Sequence, residues 1–417
     1  EDELEELLDP IIEDAYRNGF DEIVSTREAI DKLVNYALLI ETDGNPYKGY
    51  RSRMAETIRL LSRLRQLFPQ HAGPENWRAA KTLVADYRFL LKRRKYPKRN
   101  IPVGAILDRI SNDISDHTII PLIEGFLKKS EVNLKLSGFQ VRSTSRILKN
   151  IEKGYLSGTL ISAGTGSGKT LAFYIPALAK VAQLILGDPK PWVKVLAIYP
   201  RNELLRDQFA EIYREARKFD TTLLEQKRNI IRIGCLFSAV PISAEYAIKY
   251  GWPKGWEKTA DGVKCIYMAC SSNSCSGNLT WREADYTQKK EVLVCEKCGR
   301  KTQEGEFSLT RNSINKNKPD IVFTTTEMLN QRMSDPDLRE VFGLGYKAYK
   351  KVELVLLDEV HTYGGSHGAQ VAYLLRRWKY LHKKSVNFVG LSATLTDGKK
   401  FFSALTFAVS IAIKALS

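Results

Sequence analysis

The sequence predicts an α/β fold: one lobe built on a parallel sheet, preceded by a helical region and carrying a small cysteine-rich insert. Three observations predict it. Short apolar runs alternate with helical patterns over residues 136–400, the texture of strands joined by crossover helices. The first run leads into a glycine-rich loop, and two cysteine pairs interrupt the alternation between the third and fourth runs.

Composition agrees with a packed globular chain. Of 417 residues 43% are hydrophobic and 27% charged, which excludes collagen-like, mucin-like and wholly disordered chains. Lys and Arg number 64 against 48 Asp and Glu, a net charge of +16 that suits a polyanionic partner. Six cysteines are too few for a secreted disulfide scaffold of this length. The opening Glu1-Asp2-Glu3-Leu4-Glu5-Glu6 is acidic where a secretory leader is basic. The most apolar stretch, Phe401 to Leu416, is shorter than the ~20 residues of a spanning helix and contains Lys414, so it reads as a buried helix and no membrane partner is expected.

Residues 1–135 read as a helical N-terminal domain. Ile58, Leu60, Leu61, Leu64 and Leu67 recur at largely helical spacing, and Pro69, Gly73-Pro74 and Pro97 break the pattern. The densest positive run, Lys92 to Arg99, reads first as a solvated face and second as a phosphate contact, with Tyr96 able to stack on a base. The strand-like runs then follow: Thr159–Ser162, Val193–Tyr199, Ile230–Ser238, Ile321–Thr325, Leu354–Leu357 and Phe388–Leu391. In open parallel sheets ligands bind beyond the carboxyl ends of strands, so motifs spread over more than 200 residues can converge there.

Ala163-Gly164-Thr165-Gly166-Ser167-Gly168-Lys169-Thr170 follows the first run and precedes a helical pattern. That is the context of a phosphate-binding P-loop, although the strict pattern has Gly at its first position and here it is Ala163. Gly164, Thr165, Gly166, Ser167 and Gly168 would turn backbone N–H groups onto phosphate oxygens. Lys169 would reach the β- and γ-phosphates and the Thr170 hydroxyl would hold Mg²⁺. At the end of the run Leu354–Leu357 stand Asp358 and Glu359. An isolated Asp-Glu pair is usually solvated surface. Downstream of a P-loop and at the end of an apolar strand, Asp358 is expected to bind Mg²⁺ and Glu359 to deprotonate the attacking water.

With Asp358-Glu359-Val360-His361 in place, the chain resembles a superfamily 2 DExH-box helicase. Phe139-Gln140, Pro200-Arg201-Asn202, Thr324-Thr325-Thr326-Glu327 and Ser392-Ala393-Thr394 fall in that family's order. The stretch from Asp358 to Arg377 is similar to bacterial repair helicases of the MrfA kind and to the phage-defence helicases DruE of Druantia and DrmA of DISARM. It departs from them at Gly364-Gly365-Ser366-His367-Gly368. The resemblance implies a RecA-like lobe over 136–400. It implies that Gln140 reads adenine, that Arg201, Asn202, Thr325 and Thr326 touch a sugar–phosphate backbone, and that His361, Ser392 and Thr394 couple ATP chemistry to that contact. DNA is favoured over RNA through the repair and defence relatives.

Cys270-x4-Cys275 and Cys295-x2-Cys298 have knuckle spacing and read as a structural Zn²⁺ ribbon within residues 250–310. Cys265 is an alternative to Cys270; Cys235 reads as a buried hydrophobe. Lys289, Lys290, Lys297, Arg300 and Lys301 make the insert basic, fitting phosphate or a protein partner. Trp252 and Trp256 are expected to pack at its base.

Motors of this superfamily use two lobes, the second supplying an arginine finger from a Gln-x-x-Gly-Arg segment. No such segment occurs in these 417 residues, and 23 follow Thr394. The expectation is therefore the first motor lobe of a longer protein, with 401–417 the start of an incomplete C-terminal part. It should bind ATP and hydrolyse it weakly, since such fingers contribute ~10³–10⁵ in rate. The leading reading is a cytoplasmic, ATP-dependent DNA helicase or translocase in repair or anti-phage defence, partnered by its second lobe and by repair or defence proteins. The alternatives are an ATP-gated sensor or scaffold that does not unwind, and the translocase subunit of a restriction-type complex.

Overall fold

The computed structural model describes residues 2–17, 25–42, 49–65, 76–84, 96–129, 134–164, 166–272, 275–345, 348–393, 395 and 397–415. The chain divides into two compact units, Glu1–Arg93 and Arg94–Ser417.

The first unit holds helices Asp2–Arg17, Thr26–Asn35 and Arg53–Arg63, the last two opened by Ser25 and Ser52, whose hydroxyls accept backbone N–H groups. A hairpin-like pair of strands, Leu39–Thr42 with Gly49–Ser52, interrupts the helices. The sequence reading had only helices there; each strand is four residues long, too short to outweigh the flanking helical periodicity. The apolar positions Leu60, Leu61 and Leu64 are exposed, and Leu67 lies outside the described residues.

The second unit is organised by an all-parallel sheet of eight strands. In chain order these are β1 (Ser157–Ser162), β2 (Val195–Tyr199), β3 (Ile233–Leu236), β4 (Phe307–Ser308), β5 (Ile321–Thr325), β6 (Leu354–Leu357), β7 (Asn387–Ser392) and β8 (Val409–Lys414). Their spatial order is β4-β3-β5-β2-β6-β7-β1-β8. The inner strands are buried along their length because helices cover both faces of a parallel sheet. Helices Val103–Asp113 and Ile120–Lys128 belong to this unit and pack on helices Gly138–Lys153 and Lys169–Gly187. Helix Lys169–Gly187 is apolar and long enough to cross a membrane by composition, yet 61% of its apolar window is buried within the lobe.

All six sequence-predicted strands are present, the fourth and fifth with the predicted limits. Two edge strands were not anticipated. β4 is two residues long and carries no periodicity. β8 lies in the stretch expected to be one buried helix; instead a helix ends at Thr406 and Val409–Lys414 pairs with β1. The alternation of buried Ser410 with exposed Val409 and Ile411 is a period of two, which total hydrophobicity hides.

Between β3 and β4 the insert forms an antiparallel sheet of Lys258–Thr259, Gly262–Ala269, Asn278–Arg282 and Leu293–Cys295. Trp252 packs against Trp256, Trp281 and Tyr286 at its base. Trp256 Nε1 donates to the Ala239 carbonyl at 2.9 Å and the Tyr267 hydroxyl to that of Leu309 at 2.8 Å. Strand Gly262–Ala269 lies on helix Asn202–Ala216.

Candidate nucleotide site and metal centre

β1 runs directly into the glycine-rich loop, and helix Lys169–Gly187 starts at its end. Gly166 and Gly168 take φ of +79° and +83°, which residues with a Cβ enter only at a cost. The loop is tied internally by the Ser167 hydroxyl, which donates to the Gly164 carbonyl at 2.6 Å. Gln140 is fully buried. Its Oε1 accepts from the Ser137 N–H and hydroxyl, each at 2.9 Å, while its Nε2 donates to the Gly168 carbonyl at 3.0 Å. One side chain thus caps its own helix and grips the loop. Thr170 is half-buried in the first turn of the helix, and Thr165 lies outside the described residues.

The acidic pair arrives from β6. Asp358 is fully buried; its Oδ1 accepts from the Glu359 N–H at 2.7 Å, and its Oδ2 has no hydrogen-bond partner among the described residues. Burial pushes the Asp358 carboxyl up to about 6, against the opposing pull of the Lys169 charge. Glu359 sits in left-handed backbone, φ +46° and ψ +46°, a conformation of the strained kind that collects at functional sites. Its Oε1 accepts from Lys169 Nζ at 2.7 Å and its Oε2 lies 3.2 Å from His361 Nδ1. The two motifs therefore meet at the carboxyl edge. The buried Asp358 carboxyl, with the Gln208 side chain beside it, offers a hard oxygen donor that suits a divalent cation.

β7 ends beside β1. The Ser162 hydroxyl donates to the Ala393 carbonyl at 2.8 Å and the Ala163 N–H to the Ser392 carbonyl at 3.0 Å. Ser392 Oγ is buried without a partner among the described residues; Thr394 lies outside them. On the other side of β6, Thr325 pairs with Tyr199 across β5 and β2. Arg201 and Asn202 at one strand end therefore stand next to Thr325 and Thr326 at the other. Arg201 is exposed at the start of helix Asn202–Ala216. The Thr325 hydroxyl accepts the Met328 N–H at 3.2 Å, capping helix Thr326–Arg332.

Two residues at the loop were not singled out for it from sequence. Strand Arg99–Ile101 pairs with Leu136–Ser137, which brings Arg99 Nη2 within 2.6 Å of where a Cβ on Gly168 would stand. Tyr96 Cε1 is 3.5 Å from the corresponding point on Gly166. Their sequence signal was the positive run Lys92 to Arg99, of which Lys92 to Lys95 lie outside the described residues. Its end lies at the P-loop, a position that spacing cannot reveal.

The sulfurs of Cys270, Cys275, Cys295 and Cys298 all lie within 4.8 Å of one another. Cys270 and Cys298 are 3.6 Å apart, Cys275 and Cys295 3.7 Å. A tetrahedron of Zn–S bonds of ~2.3 Å has sulfur–sulfur edges of about 3.8 Å, so the donor set fits Zn²⁺. Cys265 is outside the cluster, and Cys235 is buried in β3. Gly277 is required here, because a Cβ would come within 2.7 Å of Cys295 Sγ.

The profile of the DEAD/DEAH box helicase family matches residues 140–234 and 257–401, more than half of the chain. The chain belongs to that family. Among similar proteins, the Druantia protein DruE of Escherichia coli is 26% identical over 323 residues, covering 66% of this chain and 17% of DruE. The ATP-dependent helicase hrq1 of Schizosaccharomyces pombe is 35% identical over 101 residues, 23% of this chain and 9% of hrq1. The chain spans less than a fifth of the length of the curated relatives it matches. Among solved structures, the DUF1998 helicase MrfA bound to DNA aligns at TM-score 0.41 and 19% identity, over 72% of this chain and 30% of that one. Mss116 bound to ssRNA and AMP-PNP aligns at 0.45 and 15%, over 77% and 47%. The family that the motifs resemble is the family to which the chain belongs, and DruE and MrfA are both among its matches.

Proposed function

We propose that this chain is the first motor lobe of an ATP-dependent DNA helicase or translocase, cytoplasmic and acting in repair or anti-phage defence. The lobe would run from 136 past 400 to include the edge strand β8, and would carry the zinc ribbon at 250–310. The observation that carries the reading is the meeting of Lys169 with Glu359 beside the unpartnered Asp358 oxygen.

In this reading the loop from Gly164 to Gly168 and the helix N-terminus bind the triphosphate, with Lys169 on its β- and γ-oxygens. Lys169 must leave Glu359 to do so, which frees that carboxylate to take a proton from the attacking water. Thr170 and Asp358 would hold Mg²⁺, which when bound neutralises charge on the phosphates. Gln140 would read the adenine edge, and Tyr96 and Arg99 stand beside Gly166 and Gly168 of the loop. His361, Ser392 and Thr394 transmit the state of the site to Arg201, Asn202, Thr325 and Thr326, which grip a single strand without reading its sequence. The preference for DNA and the defence or repair setting rest on the likeness to DruE and MrfA. The zinc ribbon, seated on helix Asn202–Ala216, stiffens the element that begins with Arg201.

The test is strand displacement from a 3′-tailed duplex by the longer parent protein, alongside ATP-analogue binding by this chain. Glu359→Gln is expected to abolish displacement and keep binding. Displacement at the wild-type rate by Glu359→Gln would remove Glu359 from the role of base, and lack of ATP-analogue binding by the wild-type chain would sink the motor reading.

A further inference from the structure

Helices Thr326–Arg332 and Gly365–His382 both start at the carboxyl edge, after β5 and just beyond β6, and pack against each other. Between them runs an open groove of about 560 Å³. Thr326, Asn330, His367, Gln370, Tyr373 and Arg377 line it. Thr326, one of the residues assigned above to the sugar–phosphate backbone, is part of its lining.

The long helix presents unusual chemistry for a solvated surface. From Gly365 to His382 it contains no Asp or Glu. Arg377 donates to Asn330 Oδ1 at 3.3 Å and pairs with no carboxylate among the described residues. Arg376 and Lys379 are turned to the Phe407 ring instead. Tyr373, 63% exposed, stands one helical turn from both Gln370 and Arg377 on the same face. The carboxylate in the lining, Glu327, is engaged by Gln331 Nε2 at 3.0 Å. A flat aromatic with a cation and an amide donor beside it is the combination that single strands favour: stacking on the ring, phosphates on the cation.

We infer that this groove continues the nucleic-acid track: a single strand leaving Thr325 and Thr326 enters it, stacks a base on Tyr373 and sets a phosphate against Arg377. From His367 to Arg377 the helix rises about 15 Å, room for two or three nucleotides beyond those held at the strand ends. The inference rests on the proposed nucleic-acid function and deepens it, giving a role to Tyr373 and Arg377, to which the sequence reading assigned none.

The experiment is fluorescence anisotropy of a labelled oligo-dT of about twenty nucleotides with the 417-residue chain and a non-hydrolysable ATP analogue. Tyr373→Ala is expected to raise Kd about tenfold, the scale of one lost base–aromatic stack, while Tyr373→Phe stays within twofold of wild type. Arg377→Ala should lower the salt dependence of binding by about one phosphate contact. Arg201→Ala is the control for the track itself. If Arg201→Ala weakens binding while Tyr373→Ala and Arg377→Ala match wild type, the groove is not part of the track and a protein segment is the better occupant. If the wild-type chain does not bind the oligonucleotide, the nucleic-acid reading fails and the groove inference with it. An oligo-U arm decides whether the contact distinguishes DNA from RNA.

Discussion

At the carboxyl edge of the sheet, Lys169 and Glu359 meet across 190 positions of chain; in the insert, Cys270 and Cys298 meet across 28. The first site is made of oxygens and a lysine, holds a strained glutamate, and leaves a buried carboxylate oxygen without a hydrogen-bond partner among the described residues. The second is made of four sulfurs already at nearly tetrahedral spacing. Their difference separates two ways of using a cation. The insert has a small antiparallel sheet and a closed donor set, so its metal would supply folding energy. The sheet edge stands on the buried core of an eight-stranded sheet. There the polypeptide spends stability on a poised site, and the ligand collects it.

The strongest way to break that contrast is at the sulfurs. Cys295→Ser combined with Cys298→Ser should remove one zinc equivalent by metal analysis and unfold the insert, seen as altered fluorescence of the Trp252, Trp256 and Trp281 cluster. Structural zinc contributes about 10–16 kcal/mol in small isolated domains. ATP-analogue affinity should change by less than a few-fold; a collapse of nucleotide binding would show that the two sites are one cooperative unit. Next in size is Glu359→Gln, which should lower hydrolysis by the longer parent by ~10²–10⁴. Because it also releases Lys169, analogue affinity should be unchanged or tighter by titration.

Asp358→Asn sharpens the cost of poise. The folded carboxyl binds its proton up to about pH 6, whereas an unfolded aspartate releases it near 4. The folded state therefore holds the extra proton in that window, and the free protein loses stability as pH rises through it. The substitution should stabilise the nucleotide-free protein at pH 7.5 by roughly 3 kcal/mol, a gain absent below pH 4, while Mg²⁺-dependent nucleotide binding is lost. Thermal melts across pH would deny the idea if wild type and variant ran parallel. The smallest expected effect is Gly168→Ala: its φ of +83° costs a residue with a Cβ about 1–2 kcal/mol, and the methyl crowds Arg99 and Gln140. Nucleotide affinity should fall about tenfold.

Much of this was legible in the chain itself. The six inner strands announced themselves because strands buried on both faces must be apolar throughout. The glycine loop and the acidic pair could be read because phosphate and cation chemistry tolerates few residue types. The cysteine quartet could be read because its spacing is local; only the choice between Cys265 and Cys270 awaited coordinates, and Cys270 is the member of the cluster. What sequence did not disclose has consistent causes. β8 was hidden because total hydrophobicity is the same for a helix and a strand, and only pairing with β1 chose between them. Leu60, Leu61 and Leu64 form a helical stripe that nevertheless stays exposed, since periodicity shows a face and not what covers it.

The sequence alone settled which chemistries this chain carries: a triphosphate loop, two carboxylates, four thiols and an excess of positive charge. Their meeting was decided by tertiary structure. Strand order brought Glu359 to Lys169, strand pairing carried Arg99 onto the loop, and helix packing opened a groove beside Thr326. The physical reason is that residue type is fixed by what a group must do, while proximity across hundreds of positions is fixed by how the sheet and its helices pack.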